Sequence, residues 1–263
     1  MKSIKARLAA GETCIGSWLS IGSLETAEMM ARAGFDWLAI DMEHTGLSAG
    51  DLLDLIRLVD MAGVAPLVRV GENHPLLIKR ALDSGAQGVI VPMVGSVEEA
   101  EAAVRSASYP PRGVRGIGLY RAQDYGLDFP GYCDWINDNT LVAIQIEHKD
   151  AIDPLPAMLE VEGVDAFFIG PYDLSGSFGR PGEFDNPEVA DALERIDRIV
   201  KSGVRPASGI HVVDPDPAKL KAAIAQGHRF VAFSSDLLIF SHTLKAHGDG
   251  LDFTRNFNPP WRA

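Results

Sequence analysis

Along this chain, apolar or β-branched runs of four to six residues alternate with longer segments whose apolar residues recur at helical spacing. The runs are Cys14 to Leu19, Trp37 to Ile40, Ala65 to Val68, Gly88 to Val91, Leu141 to Ile146, Ala166 to Ile169, Arg205 to Ile210 and Arg229 to Phe233. Between them, the helical pattern covers Leu24 to Ala33, Ala49 to Ala62, Pro75 to Ser84, Val97 to Ala107, Pro187 to Ser202 and Pro215 to Gln226. Local chemistry agrees with these limits. Ser96 stands three residues before Glu99, the spacing of a capping box, and Pro75, Pro187 and Pro215 fall where a helix start has no use for an N–H. Gly34, Gly85, Gly203 and Gly227 follow the last helical positions, as left-handed C-terminal caps do.

Eight strand runs with helical segments between them predict βαβ units and a parallel sheet. In a chain of 263 residues the pattern predicts an α/β fold with a single (β/α)₈ barrel domain, the TIM-barrel architecture, over residues 1–263. A doubly wound open sheet fits less well, because Gly11, Gly16 and Gly22 form neither GxGxxG nor GxxxxGK[ST] after the first strand. Residues 110–139 lack periodicity and read as an extended loop with a short helix over one end of the barrel.

Composition narrows the function classes. With 24 Lys and Arg against 36 Asp and Glu, the net charge is −12, and no basic face offers itself to a nucleic acid. Cys14 and Cys133 stand 133 − 14 = 119 residues apart, which gives neither a disulfide framework nor a zinc motif. Charges interrupt the N-terminal segment, and no apolar stretch is long enough to span a bilayer, so the expectation is a cytoplasmic protein. The segment from Phe253 to Ala263, with Trp261 after two prolines, is expected to pack on a neighbouring subunit.

Barrel enzymes carry their chemistry at the C-terminal ends of the strands, and polar residues collect there. Asp41, Glu43 and His44 follow the second run, Arg69 the third, Gln145 and Glu147 end the fifth, Gly170 to Asp173 follow the sixth, and His211 the seventh. Asp173 alone would be explained as a helix cap. Glu147 and Gln145 share a face of an otherwise apolar strand, and an unpartnered buried carboxylate costs several kcal/mol, roughly. Arg69 at the end of an apolar run has no use unless it meets an anion. Glu147 and Asp173, 173 − 147 = 26 residues apart on consecutive strands, are placed to share one hard divalent cation such as Mg²⁺ or Mn²⁺.

Residues 40–44 (IDMEH), 68–70 (VRV), 145–147 (QIE), 161–165 (VEGVD) and 168–175 (FIGPYDLS) resemble the HpcH/HpaI family of class II, metal-dependent pyruvate aldolases. The resemblance runs in order through nearly the whole chain. It implies reversible cleavage of a 4-hydroxy-2-oxo acid, of the 2-keto-3-deoxy sugar-acid or dicarboxylate type, to pyruvate and an aldehyde through an enolate. It implies a divalent ion (Mg²⁺, Mn²⁺ or Co²⁺) on Glu147 and Asp173, with Gln145 nearby and N–H groups around Tyr172 and Asp173 receiving the pyruvate carboxylate. Arg69 would stand by the keto oxygen, and His44 would be the acid–base group. Asp83 would pair with His44 of a neighbouring subunit in a homohexamer. Arg121 matches the family's Arg-Ala pair, which meets the far carboxylate of a dicarboxylic acceptor. His211 departs from the apolar residue usual in heptanedioate aldolases and bears on the choice of aldehyde. A CoA-ester lyase of the citrate-lyase β type, an oxaloacetate decarboxylase and a non-catalytic assembly barrel are the competing readings.

Overall fold

The computed structural model describes residues 2–203 and 205–247. Eight strands, β1 (Cys14–Leu19), β2 (Trp37–Asp41), β3 (Ala65–Arg69), β4 (Gly88–Val91), β5 (Leu141–Ile146), β6 (Ala166–Ile169), β7 (Ala207–Val212) and β8 (Phe230–Ser235), close in chain order into a parallel barrel. The helices are α1 (Ile4–Ala9), α2 (Leu24–Arg32), α3 (Ala49–Met61), α4 (Pro75–Asp83), α5 (Val97–Ala107), α6 (Phe129–Asn139), α7 (Leu155–Leu159), α8 (Pro171–Ser177), α9 (Pro187–Lys201), α10 (Pro217–Ala225) and α11 (Asp236–His247). The predicted (β/α)₈ architecture is therefore the observed one. The segment from Phe253 to Ala263 lies outside the described residues.

Most predicted boundaries hold to within a residue or two. β7 begins at Ala207, whose N–H reaches the Asp165 carbonyl at 3.2 Å and which pairs with Ala166 at the start of β6. Helix α10 begins at Pro217 instead of Pro215, since Asp216 accepts the Ala218 N–H at 2.8 Å and caps it. Gly34, Gly85, Gly203 and Gly227 adopt φ of +91°, +104°, +70° and +110°, as their capping positions require. Residues 110–139 fold as a 3₁₀ turn (Arg121–Gly126) followed by α6. They cover the N-terminal end of the barrel, where Lys5 of α1 reaches the Asn137 carbonyl at 3.1 Å.

The alternation of side chains along each strand divides the core into two layers. Leu38, Ile40, Val68, Val89, Val91, Ile144 and Phe167 point outward under the helices. Trp18, Trp37, Ala39, Leu67, Ile90, Ala143, Phe168 and Phe230 point into the lumen. Large rings there face small residues: Trp37 lies against Phe230 with centroids 4.6 Å apart, and the space it takes is left by Gly16. A Cβ on Gly16 would stand 2.0 Å from the Trp37 ring. Gly16→Ala is therefore expected to lower unfolding stability by about 1–3 kcal/mol through overpacking. Gly46→Ala, with nothing within 4 Å of its new Cβ, should stay within about 0.5 kcal/mol. Denaturant midpoints of the two variants check this; equal midpoints would contradict the tight packing at Trp37.

Candidate active site

The two-residue step that sends Trp37 and Ala39 into the lumen also sends Asp41, at the C-terminal mouth. Along β3 the same step leads from Leu67 to Arg69, along β5 from Ala143 to Gln145 and on to Glu147, and along β7 from Gly209 to His211. The lumen is thus apolar in its lower layers and polar at its mouth.

Asp41 and Arg69 are direct partners in the β2–β3 register. Arg69 donates Nε to Asp41 Oδ1 at 2.9 Å and Nη2 to Oδ2 at 2.7 Å, a fork on one carboxylate, and its guanidinium lies 4.6 Å from the centre of the Trp18 ring. Asp41 also accepts the N–H groups of Glu43 at 3.0 Å and His44 at 3.3 Å. Burial pushes the Asp41 carboxyl up, but the guanidinium and the two N–H groups outweigh it and hold the group below the ordinary carboxylate range.

Glu43 is the opposite case. Burial pushes its carboxyl up to about 7; the charges of Glu147, Asp41 and Asp173 add to the rise, while Arg69 opposes it. Its Oε2 is buried without a hydrogen bond, 3.3 Å from Arg69 Nε and 3.6 Å from His44 Nε2. Glu147 is buried, accepts the Met93 N–H at 2.6 Å on Oε1, and accepts Gln145 Nε2 on Oε2. Burial raises its pKa too, and the charge of Asp173 reinforces the rise. Met93 takes a left-handed φ of 54°, and its N–H serves Glu147 from the loop after β4. At Gly170, a Cβ would lie 2.8 Å from Glu147 Oε2, so only glycine lets the β6 terminus approach this closely. Asp173 stands exposed in the first turn of α8, beside Tyr172, whose ring meets Phe184 at 5.2 Å.

His44 is exposed at the rim, within the same mouth. His211 Nε2 meets the Ser234 carbonyl at 3.1 Å, and burial pushes its pKa down to about 4, with Arg69 lowering it further and the carbonyl opposing. Of the residues expected at the site, His44, Arg69, Gln145, Glu147, Tyr172, Asp173 and His211 gather at this mouth.

Asp83 and Arg121 do not join them within one chain. Asp83 ends α4, which has carried the chain back to the N-terminal end of the barrel. There it accepts Arg115 Nη2 at 2.6 Å, with the buried Arg115 guanidinium 4.8 Å from the Tyr109 ring. Arg121 is held at the same end by Asp60 at 2.5 Å and the Ser84 carbonyl at 3.2 Å. The expected contact of Arg121 with substrate is not made in the chain's own mouth, and Asp83 can meet a His44 only from another copy. The sequence reading assigned no role to Trp18, Asp41, Glu43, Met93 or Gly170. For Asp41 and Trp18 the signal was present, since inward alternation along β2 and β1 places both in the lumen.

No group of three or more His, Cys, Asp or Glu is placed to hold a metal among the described residues. The mouth nevertheless fits a hard cation. Around Glu43 stand Asp41, Glu147 and Asp173, and the guanidinium of Arg69 among them already gives Nε and Nη2 to Asp41. Glu43 Oε2 and Gln145 Oε1 remain buried without partners. Two carboxylates, with water and a substrate completing the shell, are a donor set such as Mg²⁺ accepts.

A closed parallel barrel whose C-terminal mouth gathers carboxylates around a fixed guanidinium has the form of a TIM-barrel enzyme's active site. The chain belongs to the HpcH/HpaI aldolase/citrate lyase family, whose model matches residues 15–243. It is 41% identical over 247 residues to the 4-hydroxy-2-oxo-heptane-1,7-dioate aldolase of Shigella sonnei, covering 93% of this chain and 92% of that protein. It is 39% identical over 234 residues to the hydroxypyruvate/pyruvate aldolase of Sagittula stellata, covering 88% and 90%. A crystal structure of a family member from Burkholderia cenocepacia J2315 superposes with a TM-score of 0.87 at 33% identity, covering 95% of this chain and 99% of that one.

Glu43 gives a pH prediction. Its folded pKa of about 7 lies above the ordinary 4.5, so between these values the folded protein holds a proton that the unfolded chain has released. Stability from this group is complete below pH 4.5 and is lost as pH rises through 7. In EDTA, Glu43→Gln should therefore gain in denaturant midpoint over the wild type on moving from pH 5 to pH 8. A constant difference would show that Glu43 is not a dehydrated carboxyl.

Proposed function

We propose that the chain catalyses reversible aldol cleavage of a 4-hydroxy-2-oxo acid to pyruvate and an aldehyde, with a divalent cation (Mg²⁺, Mn²⁺ or Co²⁺) held by Glu147 and Asp173. That it is a carbon–carbon lyase of the aldolase type follows from its relatives. The observation that carries the mechanism is the mouth itself, in which buried acids exceed the one fixed guanidinium. Such a cation, when bound, supplies Lewis-acid polarisation of a 2-oxo acid's carbonyl.

The chain's own groups do the rest. Arg69 is oriented by the Asp41 fork, and its Nη1 makes no hydrogen bond among the described residues, which leaves it free for the keto oxygen. A fixed cation at an oxygen that gains charge stabilises the transition state more than the ground state. Gln145 is locked by Glu147, and N–H groups of Tyr172 and Asp173 at the start of α8 receive the carboxylate. His44, exposed and next to Glu43, moves the proton between the pyruvate methyl group and water. Asp83 from a neighbouring copy completes this pair in a homo-oligomer, and Arg121 reaches a substrate in the same way.

A Schiff-base lysine would need a desolvated pocket, and none of the eight lysines is buried; Lys149, the one nearest a strand end, is exposed. Treatment with EDTA should abolish cleavage, divalent metal should restore it, and borohydride with pyruvate should leave the protein mass unchanged. A borohydride adduct with activity surviving EDTA would overturn the metal mechanism.

Glu147→Gln and Asp173→Asn should each lower kcat roughly a hundredfold or more while the melting temperature is kept. Substantial turnover in either variant at saturating metal would remove that residue from the proposed ligand pair. Arg69→Lys should also fail, because a point charge cannot reproduce the planar fork on Asp41.

A further inference from the structure

We propose that His211 is a specificity-determining residue that accepts a hydrogen bond from a substrate hydroxyl on or next to the reacting carbon, so that hydroxylated substrates are preferred. The inference rests on the aldolase reading and deepens it by naming a substrate class.

Three observations converge on this ring. It occupies a lumen position on β7 at the level of the mouth, with Trp18 edge-on at 5.9 Å between centroids. Its Nε2 faces the Ser234 carbonyl at 3.1 Å. A carbonyl can only accept, so the hydrogen sits on Nε2 and Nδ1 presents a bare lone pair that no group among the described residues uses. The ring is neutral at physiological pH, because burial pushes its pKa down to about 4.

Arg69 lies against the same indole, 4.6 Å from its centre, with Nε and Nη2 spent on Asp41 and Nη1 open. Arg69 Nη1 and His211 Nδ1 are thus an open donor and an open acceptor on two side chains that both pack against the Trp18 ring. With the keto oxygen at Arg69, a hydroxyl one carbon away can donate to His211 Nδ1. A methyl group there would leave the nitrogen dehydrated and unpaired, and a carboxylate would meet a lone pair.

The hydroxyl can sit on the oxo acid or on the aldehyde, and two pairs of probes separate these sources. Hydroxypyruvate is compared with pyruvate at fixed acceptor, and glycolaldehyde with acetaldehyde at fixed donor. In His211→Leu, the kcat/KM ratio of hydroxylated to plain substrate should fall about tenfold or more in one arm, as the loss of one hydrogen bond implies. His211→Asn, which keeps an acceptor oxygen, should recover part of the ratio, a response that mere damage to packing would not give. Ratios unchanged in both arms and both variants, while pyruvate methyl-proton exchange continues, would overturn this inference alone. A wild type that neither exchanges those protons nor cleaves a 4-hydroxy-2-oxo acid would overturn the aldolase reading and this inference with it.

Discussion

Four carboxylates share the mouth of this barrel with one guanidinium, and Asp41 takes that guanidinium for itself. Two unit charges about 4 Å apart at an effective dielectric of 20 interact by roughly 4 kcal/mol, so the acids Asp41, Glu43 and Glu147 cannot all remain charged without compensation. The chain supplies only partial relief. Glu147 receives one backbone N–H and one amide, Glu43 Oε2 has no hydrogen bond and only the charge of Arg69 3.3 Å away, and both are pushed toward protonation. Binding of a divalent cation removes the same strain without protonating them. This surplus of carboxylates over guanidinium is what the proposed cation, and through it a 2-oxo acid, would neutralise.

The barrel makes this concentration of charge tolerable by confining it to one layer. Below it, Trp37, Phe230, Phe168 and Leu67 fill the lumen and exclude water. Above it, the strand ends hand over to loops that return N–H groups to the carboxylates: Met93 to Glu147, and Glu43 and His44 to Asp41. Gly170 keeps the space that Glu147 occupies, and the β2–β3 register sets Asp41 beside Arg69 before any side chain is chosen. Stability and chemistry are separated along the strand axis, and a two-residue step is enough to pass from one to the other.

Much of this was legible from alternation alone. Strands such as Gly88–Val91 and Leu141–Ile146 stand where their apolar runs put them, because a strand buried on both faces reads as continuous apolar sequence. The short α7 and α8 carry too few turns to show a period, so only their starts are legible, and α11 has apolar residues on several sides and gives no helical signal. Glu43 escaped assignment because nothing local distinguishes it from a solvated loop acid; its burial is produced by β3 and β5, far away in sequence. For Arg121 the sequence does not tell own mouth from neighbour's: held by Asp60 and the Ser84 carbonyl at the N-terminal end, it lies away from its own barrel's active face.

The decisive property of the mouth is where a cation settles in it. Crystals grown with Mn²⁺ and pyruvate, with data collected near the manganese absorption edge, would place the ion directly from its anomalous signal. The account predicts one strong peak per chain between the carboxylates of Glu147 and Asp173, with pyruvate oxygens in its shell and Arg69 still forked on Asp41. A peak elsewhere, or a fully formed pyruvate complex in that mouth without a cation, would contradict it.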